Sequence, residues 1–230
     1  MPAVPAWQGA EMGLLDWSDP DLPTISRRYD RIARYYGLFE WLFLLPAGIR
    51  RRAVDALDLK PGDRVLEIGC GTGKNLRALR EAVGPEGCVY GVDLSEGMLA
   101  RAAGLCARES WPNVTLTRSD AAKYSAPNPL DGVIFSLSYS TMPHHKEVLI
   151  HAWHQLRPGK NLVIMDSKLP PGVRGRLILP YAISISKLSV LGNPYIRPWE
   201  ELRGLTDDFQ MEEVFLESYY ICRGRKPASV

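Results

Sequence analysis

The run RVLEIGCGTGKNLRALREAV (64–83) constrains this chain more than any other stretch. A short, β-rich apolar segment gives way to Gly69, Gly71 and Gly73 at alternate positions, and then to Leu76, Leu79 and Val83 at helical spacing. That order predicts a strand, a tight glycine turn and a helix. The cycle recurs. CVYGVD (88–93) precedes EGMLARAAGLCAR, NVTLTRSD (113–120) precedes a short connection, and DGVIFSLS (131–138) precedes KEVLIHAWHQL. NLVIMDS (161–167) leads into a long apolar and basic insertion at about 168–203, and EEVFLESYYICRGRK (212–226) closes the chain. Alternating strands and helices predict an α/β fold with a doubly wound, mainly parallel sheet.

Two segments precede this domain, which spans 60–230. Residues 1–26 carry four prolines among scattered acids and no sustained period, and read as a loose N-terminal arm. Residues 27–59 read as a helical lid: Ile32, Tyr35, Tyr36, Phe39 and Phe43 recur at helical spacing, while Arg27, Arg31 and Arg34 fall on another face. A further helix is predicted from Ala47 to Leu57.

A formal charge of only +2 excludes a whole-protein nucleic-acid binder. Cys70, Cys88, Cys106 and Cys222 have neither zinc-site nor disulfide-framework spacing, which fits a reducing, cytoplasmic location. GLFEWLFLLPAGI (37–49) and LILPYAISISKLSVL (177–191) fall short of the roughly 20 residues of a spanning helix. Neither a signal peptide nor a transmembrane helix is expected.

Three alternate glycines between a strand and a helix let the backbone turn tightly and approach a ligand near the positive end of that helix. Asp93 ends the second strand, where an acid can accept hydrogen bonds from both ribose hydroxyls of an adenosine. Lys74 occupies the place of the third glycine of a dinucleotide fingerprint, which argues against an NAD-type dehydrogenase. Asp120 closes the third strand, placed to meet an adenine amino group beside an apolar shelf of Leu94 and Met98.

LEIGCGTG, GVDLSEGML, SDAAKY, LDGVIFSLS and LRPGKNLVIMD, in this order, resemble the class I S-adenosylmethionine-dependent methyltransferases over roughly residues 27–226. The resemblance implies a Rossmann-like seven-stranded sheet and S-adenosyl-L-methionine as cofactor. It implies that Gly69, Gly71 and Gly73 wrap the methionyl part, that Asp93 holds the ribose and that Asp120 with Ala121 meets the adenine. Glu67 supports the loop or the amino group, and Asn75 and Ser136 complete the cofactor set.

YDRIARYYGLFEWLF (29–43) resembles the Y-D-x-x-A-x-x-Y-D start of quinone C-methyltransferases and of bacterial lipid N-methyltransferases. Tyr29, Asp30, Ala33 and Tyr36 match it, and Gly37 replaces the second Asp; Tyr29 is expected to reach the cofactor from the lid. FSLSYSTMPHH after the fourth strand looks more like the lipid N-methyltransferases. The expected activity is therefore N-methylation of an amine-bearing lipid head group. The alternatives are a C- or O-methyltransferase of a quinone or other lipophilic small molecule, and a non-catalytic cofactor-binding membrane adaptor.

Arg27, Arg28, Arg31, Arg34 and Arg50–Arg52 flank the first apolar run, and Lys168, Arg174, Arg176, Lys187 and Arg197 accompany the second. Such a surface is expected to sit peripherally on an anionic membrane, at its inner face. Glu147, His151 and His154 would share a helix face, read as solvated rather than metal-binding. His144 and His145 follow the fourth strand, where substrate enters. Tyr139, His144 and Tyr36 are the catalytic candidates, because methyl transfer needs alignment and at most a base to take a proton.

Overall fold

A computed structural model describes residues 20–35, 45–188, 192–193 and 195–228, with backbone alone for 181–188. The chain begins with α1 (Leu22–Ile32), a short 3-10 turn (Ala33–Tyr35) and α2 (Ile49–Asp55). The α/β domain follows as β1 (Arg64–Ile68), α3 (Leu76–Val83), β2 (Cys88–Asp93), α4 (Glu96–Arg108), β3 (Val114–Arg118) and β4 (Leu130–Ser136). It continues with a 3-10 turn (Tyr139–Thr141), α5 (His145–Gln155), β5 (Leu156–Ser167), α6 (Val173–Leu188), α7 (Pro198–Arg203), β6 (Phe209–Val214) and β7 (Tyr219–Arg225).

The seven strands lie in the order β3-β2-β1-β4-β5-β7-β6. The first five are mutually parallel, and β7 runs antiparallel between β5 and β6. Side-chain alternation sorts the core into two layers. Leu66, Ile68, Val133 and Phe135 pack with Val148, Leu149, Ala152 and Trp153 of α5. Val65, Val89, Ile134 and Val163 pack on the other face with α2 and with Leu76, Leu79 and Val83 of α3. The whole of β4 is buried, as a central parallel strand covered on both faces must be.

Two boundaries differ from expectation. Residues 22–26, read as the end of a loose arm, form the first turns of α1: Asp21 accepts a hydrogen bond from the Thr24 backbone N–H at 2.9 Å, and Pro23 sits in the opening turn, where its missing N–H costs nothing. Strand β5 starts at Leu156 rather than Asn161, because Leu156 pairs with Leu130 before a register shift carries the ladder on to Gly132 and Asn161. The aromatic positions Tyr36, Phe39 and Phe43 lie outside the described residues.

Candidate active site

Parallel strands end together, so the loops after β1, β2, β3 and β4 meet at one edge of the sheet. They enclose a cleft of about 940 Å³, part of it open to solvent. The lid helix α1 closes one side with Leu22, Ile25, Ser26 and Tyr29.

The glycines serve three different purposes. Gly69 (φ +72°) lies against Ser138, so a Cβ there would collide with the Ser138 side chain, whose hydroxyl donates to the Ile68 carbonyl at 2.6 Å. Gly71 (φ +54°) has open space where a Cβ would be, and lines the cleft. Gly73 (φ +83°) does not line the cleft; a Cβ there would press on Leu76 at 2.7 Å and Ala102 at 3.3 Å. Its expected ligand contact is replaced by close packing of α3 and α4.

At the β2 end, Asp93 accepts hydrogen bonds from the backbone N–H groups of Gly71 at 2.8 Å and Ser95 at 2.9 Å. Burial raises its pKa, against the lowering pull of those N–H groups, and the nearby charge of Asp30 adds to the rise. Leu94, Met98, Asp120 and Ala121 line the same end of the cleft, as read from sequence. Asp120 is oriented by accepting from the Ala122 N–H at 3.0 Å.

At the β1–β4 end stands Glu67. It shares the α3-facing side of β1 with Val65 and is buried, with Asn75 donating to Oε1 at 2.6 Å. Asn75 thus orients Glu67 and stands outside the lining of the cleft. Burial pushes the Glu67 carboxyl up to about 7, opposed by Asn75 and by the charge of Arg50. Its second oxygen, Oε2, is buried with no protein hydrogen-bond partner among the described residues. Buried polar atoms are rarely left so, and this one adjoins the cleft.

Arg50 is the residue that sequence reasoning misplaced. Grouped with a membrane-facing basic cluster, it instead lines the cleft, its Nη1 donating to Ser136 Oγ at 2.8 Å and lying 3.5 Å from Asn75 Oδ1. Its neighbours are engaged elsewhere, Arg51 with Asp55 and Glu81 and Arg52 with Glu212. The signal available was position alone: Arg50 lies on the first turn of a helix ending shortly before β1.

The catalytic candidates separate. His144 is exposed and lines the cleft. Tyr36 lies outside the described residues. Tyr139 is corrected: its side chain is 0% exposed, its hydroxyl donates to Glu201 Oε2 at 2.6 Å, and it is absent from the cleft wall. Burial and the Glu201 carboxylate push its pKa far above the ordinary phenol range, which removes it as a base. His145 joins the same network, with Nε2 3.2 Å from Glu201 Oε1. His151 is not simply solvated, since its Nε2 lies 2.7 Å from the Tyr124 carbonyl oxygen. Among the described residues no three His, Cys, Asp or Glu side chains gather as a metal site.

The residues fit the cofactor implied by the sequence. An adenosine would find Asp93, Asp120 and the Leu94–Met98 shelf. A methionyl group, carrying an ammonium and a carboxylate, would find the unpartnered Glu67 oxygen, the open space over Gly71 and the Arg50 guanidinium.

A methyltransferase-domain family profile matches residues 65–159. Nocamycin O-methyltransferase of Saccharothrix syringae is 31% identical over 147 residues, covering 64% of this chain and 52% of that protein. Demethylmenaquinone methyltransferase of Anoxybacillus flavithermus is 25% identical over 186 residues, covering 80% of this chain and 78% of that one. The chain thus spans about half the length of the first relative and more than three quarters of the second. In fold it resembles a Haemonchus contortus phosphoethanolamine N-methyltransferase 2 in complex with S-adenosyl-L-methionine, with a TM-score of 0.70 at 19% identity over 90% of this chain and 60% of the other. The matched profile falls on the strands and loops that build the cleft, so residues 65–159 carry a methyltransferase domain of the class I, S-adenosylmethionine-dependent type, with S-adenosylmethionine as the cofactor.

Proposed function

We propose that the protein transfers a methyl group to a carbon or oxygen of a lipophilic small molecule of quinol, phenol or enol type. The observation that carries this reading is the wall beyond β4. Leu137, Met142, Pro143 and Val148 line it, the lid adds Leu22 and Ile25, and the polar groups there are Ser26, Tyr29, Ser138, Thr141 and His144, none of them a carboxylate. The cleft's carboxylates are Glu67, Asp93 and Asp120, all placed where the cofactor would engage them. A cationic amine head group would find no carboxylate of its own among the described residues of this wall, so head-group N-methylation gives way to the lipophilic acceptor. The names of the nocamycin and demethylmenaquinone relatives support the same reading.

When bound, the cofactor supplies an electrophilic methyl group and its own leaving group. The chain's part is to hold, orient and exclude water. Arg50 and Glu67 would hold the methionyl end by opposite charges and Asp93 the ribose, which would leave the acceptor between lid and β4 wall. Leu137 holds that wall in a left-handed backbone conformation (φ +55°), pinned by its N–H to the Met165 carbonyl at 2.8 Å. His144 is the imidazole on the acceptor side placed to take the hydroxyl proton of a quinol or phenol.

The test is transfer of label from methyl-labelled S-adenosylmethionine to a detergent-dispersed prenylated naphthoquinol lacking its ring methyl, run beside a total lipid extract. Label in the quinol or another neutral lipophile supports the reading. Label confined to an amine-bearing polar lipid overturns it.

A further inference from the structure

Two exposed apolar elements stand on the edge of the sheet where the cleft opens. The first is α6, whose Gly175 and Leu179 are buried while Val173 and Leu177, one turn apart, face outward, Leu177 at 77% exposure. Arg174 and Arg176, both exposed, flank that pair around the helix. The second is the turn between β6 and β7. Phe215, Leu216 and Glu217 hold consecutive left-handed conformations (φ +50°, +57° and +63°), a strained run that turns Phe215 and Leu216 out of the core, Leu216 at 69% exposure.

Both elements adjoin the cleft edge. β7 starts opposite the end of β5, with Tyr219 beside Ser167, and the Lys168 N–H donates to the Ser218 carbonyl at 2.8 Å, so the root of α6 touches the turn. Beyond α6 the chain returns to the acceptor wall, where the Asn193 N–H donates to the Ser140 carbonyl at 2.7 Å. The next residues of that wall, Thr141 to His144, line the cleft.

The occupant of this surface is indicated by charge. From Ser167 to Trp199 the sequence holds five basic residues and no Asp or Glu, on a chain whose total is only +2, so the remainder sums to −3. A second copy of the chain meeting the first about a two-fold axis would set one such segment against another. An anionic lipid surface offers the opposite charge to the arginines and a hydrocarbon boundary to the leucines. Of the acids beside the turn, Glu213 pairs with Lys168 and Glu212 with Arg52, and Arg197 pairs with Glu200, so the attraction to an anionic surface comes from Arg174 and Arg176, against the exposed Glu217.

We propose that α6 and the Phe215–Leu216 turn form one surface by which the enzyme rests on an anionic bilayer, with the acceptor wall at its margin. This rests on the reading of the acceptor as lipophilic: a substrate dissolved in the bilayer then reaches the cleft without crossing water.

The experiment is cosedimentation with vesicles of phosphatidylcholine and phosphatidylglycerol in equal parts, beside vesicles of phosphatidylcholine alone. The wild-type protein is expected to pellet with the mixed vesicles at low salt and to be released at high salt. The doubly substituted Leu177→Glu, Leu216→Glu protein is expected to pellet roughly tenfold less, with S-adenosylmethionine affinity by calorimetry unchanged as the check on folding. Wild-type protein left in the supernatant at low salt overturns the proposal, as does a variant that pellets like the wild type. Sedimentation velocity showing a wild-type dimer that the variant turns into a monomer also overturns it, in favour of self-association. Methylation of the detergent-dispersed naphthoquinol is measured without vesicles, so failure of the acceptor reading and failure of the docking surface are told apart.

Discussion

The Asp30 carboxylate of the lid helix accepts a hydrogen bond from the Ser95 hydroxyl at 2.6 Å, and a second from the Gly97 N–H at 2.9 Å. Ser95 also caps α4 by accepting from the Met98 N–H at 3.1 Å, and its own N–H donates to Asp93 at 2.9 Å. The lid is therefore latched to the turn that follows Asp93. Gly97 permits the approach, since a Cβ there would lie 3.3 Å from Asp30 and 3.4 Å from the Ala33 methyl. This gives Asp30 and Ala33 of the Y-D-x-x-A start a role in docking the lid onto the protein.

Asp30→Ala should loosen that latch. Two hydrogen bonds to a partly exposed carboxylate contribute together about 1–2 kcal/mol, so S-adenosylmethionine affinity is expected to fall roughly tenfold while global unfolding changes little. Calorimetric titration checks the first and thermal denaturation of the free protein the second; unchanged affinity would mean that the lid closes without Asp30.

Glu67 is expected to make cofactor binding depend on pH. Its carboxyl is held up to about 7 by burial, and an ammonium group binds its ionised form. A raised acid pKa means the proton must leave before the cation binds, so affinity rises with pH and binding releases a proton near neutrality. Between about pH 5.5 and pH 7 affinity is expected to increase roughly tenfold, and Glu67→Gln should flatten the profile. Titrations in two buffers of different ionisation enthalpy read the released proton directly.

Arg50 couples to the same profile, because its charge is one of the two influences holding the Glu67 pKa down. Arg50→Ala is expected to weaken S-adenosylmethionine by about 2 kcal/mol through loss of a charge-assisted contact. It should also move the midpoint of the pH dependence upward. Arg50→Lys, which keeps the charge and loses the planar fork, should restore the midpoint more fully than the affinity.

The cleft-lining Gly69, Gly71, Asp93 and Asp120 were legible in the sequence because each follows a short apolar strand, and parallel strands bring their ends together at one edge of the sheet. The residues that escaped reading find their partners far along the chain: Ser136 lies 86 positions from Arg50, Ser95 lies 65 from Asp30, and Glu201 lies 62 from Tyr139. Strand position places Tyr139 in the loop after β4 but not its direction, because the 3-10 turn swings the ring toward α7 and away from the cleft. Pro23 misled for a different reason, since proline marks a loop and the first turn of a helix alike.

Tyr139→Phe separates a structural phenol from a catalytic one. The hydroxyl and His145 both bind Glu201, and those hydrogen bonds keep the Glu201 pKa low although burial pulls it upward. Removing the hydroxyl leaves one oxygen of a half-buried carboxylate short of a donor and should destabilise the fold by about 1–2 kcal/mol. The pH dependence of turnover should keep its shape. A profile that loses a limb would return Tyr139 to the chemistry.

The two cleft-lining glycines should respond differently to a single methyl group, although both require a left-handed backbone. Gly71→Ala meets open space in the protein, so the free enzyme is expected to lose only the conformational penalty, about 1–2 kcal/mol. The new methyl enters the space where the cofactor would lie, and S-adenosylmethionine affinity should fall by tenfold or more, roughly the cost of one displaced close contact. Gly69→Ala carries the same backbone penalty and also collides with Ser138, whose hydroxyl ties the β4 loop to β1. It is expected to lower the unfolding temperature further than Gly71→Ala and to disturb the acceptor wall with it. Thermal denaturation and cofactor titration on the pair decide the matter: if both variants lose stability equally and bind equally well, the cleft over Gly71 is not where the methionyl group lies.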